Sequence, residues 1–363
     1  MLSSKWQAFG AGKANFGGGL ALYMITPQGN FYASTNMPNG SKDSHFRAAS
    51  TTKTFTSAAI MLLHQQGKLN INDLITANIP GSSEPYVPNT NDYNIPNKNQ
   101  ITIKLLLKHR AGVFDVTNEY IPSAEAVPYA GQNYLLYVEA SSPEHQFTFD
   151  ELVGVVATCE LSYFAPDTSY HYSNTGYNIL GKIIERVSGQ RYDQFLNDNF
   201  VVPNNLTQTT FPYLGTSVYP PTPYETGYKY ENQTLTEDTK DNMSGNVSEG
   251  NVLTTPSDLA NWIRKLVRGE AGLTADTVYL MTSEATSTAY GLGIFRNSGL
   301  GFGHNGAHGG YLTDAFTDPV QDVTVVVSAS VIDENDMASE SNVLNNVSRA
   351  AKNILGYSTA EAN

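Results

Sequence analysis

Two runs rich in β-formers flank a Pro-Gln-Gly-Asn turn in "GGLALYMITPQGNFYAST", residues 18–35. Three more strand-like runs, "YGLGIF", "GGYLTDAF" and "DVTVVVSASV", stand near the other end of the chain. The first stretch reads as a hairpin. Between the two ends the patterns are helical or irregular. Residues 51–66 read as a mostly buried helix ending at Gly67. Residues 71–100, rich in Asn, Pro and Ser, read as a long ordered loop. Shorter helical patterns follow at 102–109 and 149–158. Residues 174–189 carry Ile179, Leu180, Ile183, Ile184 and Val187 on one stripe, the spacing of a helix. A Pro- and Tyr-rich, irregular region spans 211–242. A capped helix is expected over 255–269, with Ser257 as its N-cap, and a last helix over about 340–355. Strands at both ends with helices between them fit an α/β sheet domain built from both termini, with a helical insertion.

The chain has 363 residues, room for one large domain or two modest ones. Hydrophobic residues make up 40%, enough for a sizeable core, and the net charge is -13. An acidic surface argues against nucleic acid and anionic membrane as partners. No apolar stretch approaches the roughly 20 residues of a membrane span. The start, Met1 to Lys5, lacks the apolar segment of a signal peptide. The expected location is therefore cytoplasmic, or secreted, periplasmic or cell-envelope if a signal has been removed. Cys159 is the only cysteine, and the seven histidines show no His-Glu-x-x-His spacing. Neither a metal nor another cofactor is expected.

Three short constellations carry chemistry. The first is Ser50 and Lys53 in "AASTTKTF". Residues three apart share a helix face, so Lys53 can reach the Ser50 hydroxyl. A serine becomes a good nucleophile when a neighbour takes its proton. A lysine does so only when neutral, which requires a pKa well below the free value of about 10.4. The Ser50 N–H, at the helix start, is free to face developing negative charge. A lone Ser-x-x-Lys arises about once by chance in a chain this long. The bland alternative is an N-cap serine and a solvated lysine. Of the 13 lysines, only Lys53 has a serine three before it, and a very apolar helix follows.

The second is Tyr172 and Asn174, which project the same way from an extended segment. A phenol can relay a proton, and an amide can hold a substrate carbonyl or the lysine. A second Tyr-x-Asn at Tyr230 and Asn232 shows how common the pattern is, and for the motif in isolation a surface tyrosine with an N-cap asparagine is the better explanation. The third is "GFGHNGAHGG", with His-x-Gly triplets at His304 and His308. Glycines let this strand approach a ligand closely, and the N–H after a triplet can complete an oxyanion hole. A glycine-rich turn with two exposed histidines is the alternative.

Taken in order, Ser-x-x-Lys, Tyr-x-Asn and His-x-Gly resemble the serine β-lactamase and DD-peptidase superfamily. The branch is that of class C β-lactamases, the Streptomyces-type D-alanyl-D-alanine carboxypeptidase, and related D-amidases and esterases. There Tyr stands for the Ser of the class A Ser-Asp-Asn motif, and His for the Lys of Lys-Thr-Gly. "ITIKLLLKHRAGV", "YSNTGYNILGKIIERVSGQRYDQFL" and "GNVLTTPSDLANWI" extend the resemblance over nearly the whole chain. It implies a β-lactamase-like α/β fold: an antiparallel sheet flanked by helices, from residues 1–75 and 250–363. A helical, loop-rich insertion would occupy 76–249, with the active site at the junction. It selects Tyr172 over Tyr230 and His304 over His308.

Carried over, the resemblance implies Ser50 as acylated nucleophile. Lys53 and Tyr172 would share general-base and relay roles. Asn174 would contact substrate or Lys53, and His304 would position Tyr172 or substrate, with Asn305 and Gly306 beside it. The N–H groups of Ser50 and Ala307 would form the oxyanion hole. The implied partner is a small peptide, amide, ester or β-lactam, hydrolysed or bound as a stable adduct; the oligomeric state is left open. One departure bears on substrate. Where the carboxypeptidase has an arginine for the peptide's free carboxylate, this chain has Phe295, and Arg296 would face the other way. Asn305 replaces the usual threonine. A D-amidase, D-endopeptidase or esterase is therefore expected over a strict carboxypeptidase.

Overall fold

The computed structural model describes every residue except 39 and 361–363, so the end of the expected C-terminal block lies outside the described residues. Helix α1 (Leu2–Gly10) precedes the hairpin of β1 (Leu20–Thr26) and β2 (Gly29–Thr35), and β3 (Phe46–Ala49) leads into α2 (Thr52–Gln65). Then come α3 (Ile103–Leu107), α4 (Tyr134–Glu139), α5 (Phe149–Thr158), α6 (Asn174–Ser188) and α7 (Tyr192–Leu196). A small hairpin, β4 (Tyr228–Glu231) and β5 (Thr234–Glu237), precedes β6 (Val252–Thr254), α8 (Pro256–Val267) and α9 (Ala275–Thr282). The chain ends in β7 (Phe295–Asn297), β8 (Gly301–His308), β9 (Tyr311–Asp318), β10 (Val323–Ala329), β11 (Val331–Asp333) and α10 (Met337–Ile354).

The main sheet is six-stranded and antiparallel, in the order β2-β1-β10-β9-β8-β7. Its strands come from both ends of the chain, with helices on each side, the arrangement the strand pattern implied. Alternation explains why β1 and β10 are so apolar. Leu20, Leu22, Met24, Val323, Val325 and Val327 face α1 and α10, packing with Trp6, Leu344 and Val347. Tyr23 and Val326 point to the opposite face, into the large core that holds α8. Strands covered on both faces need no solvent-facing side, which is why Val323–Ala329 is buried throughout.

That large core continues through α2, α3, α5 and α6. Residues Thr52 to Leu63 of α2 are all buried. Phe55 stacks on Trp262 of α8 at 3.9 Å, and the Trp262 indole N–H donates to Thr54 Oγ1 at 2.8 Å. The helix that follows Ser50 is thereby locked to the helix that covers the sheet.

The structure departs from the sequence reading in three local places. The region 211–242, expected to be irregular, contains the β4–β5 hairpin, which pairs in parallel with β11. Its turn residues, Asn232 and Gln233, both adopt positive φ (50° and 63°). Two left-handed residues in a two-residue loop suit the strand twist, but the Asn-Gly signature is missing, so the hairpin was not recognisable. "YGLGIF" is mostly loop, with β7 starting only at Phe295. Gly293 has φ +74°, and a Cβ there would sit 1.7 Å from Ser57 Oγ. Close packing on α2 breaks the extended backbone. Helix α8 is capped by Thr255, whose side chain accepts the Asp258 N–H, with Pro256 as the first helical residue; Ser257 lies one residue inside.

Candidate active site

Ser50 sits in the turn between β3 and α2. The preceding residue, Ala49, is left-handed (φ +50°), and the β3–β6 register shifts between Arg47 and Ala49. A non-glycine residue there costs about 1 kcal/mol, held in place by the core around it. The kink aims the Ser50 side chain out of the strand into a cleft of about 610 Å³, also lined by Tyr172, Asn174, Phe295, Gly306 and Ala307.

One turn into α2, Lys53 is fully buried. Its Nζ lies 3.2 Å from Ser50 Oγ, 2.7 Å from Asn174 Oδ1, 2.8 Å from the Glu249 carbonyl and 3.3 Å from Glu249 Oε2. Burial pushes the Lys53 pKa below 10.5, and the neighbouring Glu249 and Asp115 oppose that shift. The Tyr172 ring centre is 4.7 Å from Lys53 Nζ. Burial raises the Tyr172 pKa well above 10, so it is a neutral phenol at rest; a hydrogen bond with Ser50 works the other way.

Asn174 is the first residue of α6, and Ser173 is the cap, accepting the Gly176 N–H at 3.2 Å. The cap leaves the Asn174 amide free to work across the site. Its Oδ1 accepts from Lys53 while its Nδ2 donates to Thr117 Oγ1 at 2.8 Å, and Thr117 in turn donates to Asp115.

Gly306 explains how β8 reaches the nucleophile. A Cβ there would lie 2.3 Å from the Ala48 carbonyl oxygen and 3.1 Å from Ser50 N. Only a residue without a side chain lets the two strands pass this closely, which brings Ala307 to the mouth of the same cleft.

His304 does not line the cleft. Its ring is fully buried, 6.4 Å from Tyr172 between ring centres. Nδ1–H donates to the Asn305 carbonyl, which leaves Nε2 to accept the Tyr290 hydroxyl at 2.9 Å. Burial drives its pKa down to about 3, so the ring is neutral. Phe295 packs edge-on against Tyr290 (4.6 Å) and lies 4.8 Å from His304, forming a cleft wall. Arg296 faces a separate hollow beside Phe302.

Several residues around this site carried no sequence signal. Glu249, 2% exposed, touches Lys53 and accepts from Asn246 at 2.7 Å; burial raises its pKa and Lys53 opposes the rise. His109 accepts the Ser173 N–H on Nδ1 at 3.0 Å and stacks 4.2 Å from the Tyr172 ring, bracing the segment that carries the phenol. Tyr290 links His304 to this aromatic group. Tyr290 opens the "YGLGIF" stretch and Glu249 directly precedes "GNVLTTPSDLANWI", but no spacing within either assigns these two side chains a role. His109 lies in the "KHRAGV" stretch that carries part of the family resemblance.

An antiparallel sheet flanked by helices, with a serine at the start of a buried helix and a lysine one turn in, defines the β-lactamase-like class. A family model described as Beta-lactamase matches residues 28–344, and the chain belongs to that family. Protein flp of Staphylococcus aureus is 26% identical over 302 residues, 80% of this chain and 53% of the relative. The chain thus spans about half the length of the curated relatives it matches. Among solved structures, a D-stereospecific amidohydrolase from Streptomyces sp. superposes with TM-score 0.77 at 22% identity, covering 97% of this chain and 99% of that one. The D-amino acid amidase from Ochrobactrum anthropi SV3 gives 0.75 at 20%, covering 98% and 99%. At these identities the likeness is one of fold. Among the described residues, no helix is long and apolar enough to cross a membrane.

Proposed function

We propose that the protein is a serine acyl hydrolase that forms an acyl-enzyme on Ser50, acting on D-amino-acid-containing amides or peptides. The observation that carries this is the Lys53 amine 3.2 Å from Ser50 Oγ, buried and aimed by Asn174 and Glu249, at the mouth of an open cleft. Neutral Lys53 takes the Ser50 proton as Oγ attacks the substrate carbonyl, with the neutral Tyr172 phenol relaying it onward. The N–H groups of Ser50 and Ala307 receive the oxyanion. The proton then passes to the leaving amine as the C–N bond breaks. Water, or an acceptor amine, attacks the ester, and Ser50 regains its proton. His304 acts from behind, through Tyr290 and the aromatic packing, to set the position of Tyr172.

The substrate class draws on two further points. Phe295 presents an apolar wall, and among the described residues no arginine or lysine lines the cleft to hold a free carboxylate, while His308 there is paired with Asp241. The solved structures that overlap nearly the whole chain include two named for D-stereospecific amide chemistry.

A panel decides the reading: a D-Ala-D-Ala peptide, its C-terminal amide, a p-nitrophenyl ester and nitrocefin, with intact-mass detection of a fluorophosphonate adduct. Turnover of the amide, little of the free acid, and one adduct on Ser50 are expected. Ser50→Ala should abolish hydrolysis. Retained activity in that variant, or preference for the free acid, would sink the nucleophile assignment or the substrate assignment respectively. A stable penicillin adduct with no turnover of any substrate would mark a β-lactam-binding receptor instead.

A further inference from the structure

The cleft holds a carboxyl group that this acylation chemistry does not use. Asp314 lies in the middle of β9, opposite Asn305 of β8, and lines the same cleft as Ser50. It is only 7% exposed, yet its side chain has no hydrogen-bond or ion-pair partner among the described residues. Other buried acids are accommodated: Asp333 by Lys13 at 2.6 Å, Asp115 by Thr117 and Asn118, and Glu249 by Lys53 and Asn246. A buried carboxyl group without a partner is costly, so an unpaired one facing a cleft points to a ligand group that completes it. Burial alone pushes its pKa up to about 7, as an acid without a compensating partner requires.

Glu249 and Glu334 line the same cleft, and among the described residues no lysine or arginine does; the one basic side chain in its lining is His308. The Lys53 amine is already bound by Glu249 and Asn174, and His308 at the rim is paired with Asp241. An incoming cation finds an unpaired carboxyl group. An incoming carboxylate finds repulsion and, among the described residues, no unpaired basic side chain to hold it.

We propose that the cleft selects substrates that carry an ammonium group, that Asp314 receives it, and that the same side chain turns away substrates with a free carboxylate there. This rests on the serine acyl hydrolase reading and narrows its substrates to cationic amides or peptides. The group is a specificity determinant; it takes no proton from Ser50.

Competition against a neutral fluorophosphonate tests it. The rate of Ser50 labelling is followed by intact mass with pentylammonium, pentanamide or pentanoate present, alongside ligand-observed NMR binding of the same three compounds. Pentylammonium should protect at concentrations about tenfold lower than pentanamide, the usual worth of a charge-assisted hydrogen bond, and pentanoate least of all. In Asp314→Asn the ammonium-to-amide protection ratio should fall to about one, and a thermal melt checks that the variant is folded. Equal protection by all three compounds in the wild type, or an unchanged ratio in Asp314→Asn, would overturn the proposal. Should Ser50 fail to label at all, the nucleophile assignment falls. The NMR arm then still decides the ammonium site, which stands if the variant loses pentylammonium binding and falls if it does not.

Discussion

Lys53 has four oxygen partners within 3.3 Å and at most three protons to offer. As a neutral amine its two N–H groups suit the two shortest contacts, Asn174 Oδ1 and the Glu249 carbonyl. The lone pair is then left for the Ser50 proton. The Glu249 carboxylate favours the charged form and so restrains this state. In Glu249→Gln the Lys53 pKa should fall. The alkaline-rising limb of the pH profile for Ser50 acylation should then move to lower pH by about one unit. An unmoved limb would reduce Glu249 to a packing role. His304 supplies a second pH effect. Its folded pKa of about 3 lies below the ordinary 6.5, so the unfolded chain binds the extra proton. Its contribution to stability is full above pH 6.5 and is lost as pH falls toward 3. Denaturant unfolding at pH 7 and 5 should show the wild type losing about 2 kcal/mol more than His304→Gln over that interval. Equal losses would mean that His304 is solvated in the native state. Ser50, Lys53, Tyr172 and Asn174 were legible because each pair sits within one local spacing. Glu249 was not, because its distance from Lys53 exists only after folding.

Among elements, β8 is the one whose placement is most exacting. Gly306 passes within van der Waals limits of Ala48, and the added methyl of Gly306→Ala would have to displace β8 from β3. On the proposed oxyanion hole of the Ser50 and Ala307 N–H groups, acylation should slow by about 100-fold, read as the fluorophosphonate labelling rate. A near-normal rate would place the oxyanion site elsewhere. At α8, Thr255→Ala should cost about 1 kcal/mol in an unfolding titration, since its hydroxyl accepts the Asp258 N–H of the first turn. The elements themselves were largely readable from periodicity: α5 and α6 coincide with their apolar stripes to within a residue. The failures have local causes. At Asn232 and Gln233 the turn uses left-handed residues without glycine. At residues 290–294 an alternating apolar pattern is bent by tight packing of Gly293 on α2.

Across the whole molecule, the sheet and the helices around the cleft share one apolar core, and Phe55 on Trp262 is a joint between them. Trp262→Ala should lower stability by about 3–5 kcal/mol in denaturant. It should also depress Ser50 labelling at temperatures where the variant is still folded, because α2 carries Lys53 and begins two residues after Ser50. Stability lost without any change in labelling would mean that α2 is held independently of α8. The close packing of β8 against β3 beside the nucleophile carries a last consequence. Ser50 is synthesised about 250 residues before Gly306 and Ala307. A ribosome-bound or truncated chain lacking β8 has the serine and lysine but not the strand that completes their surroundings. Covalent labelling of Ser50 should therefore serve as a clock for completion of the fold, silent through synthesis and appearing only once the carboxyl-terminal strands have docked.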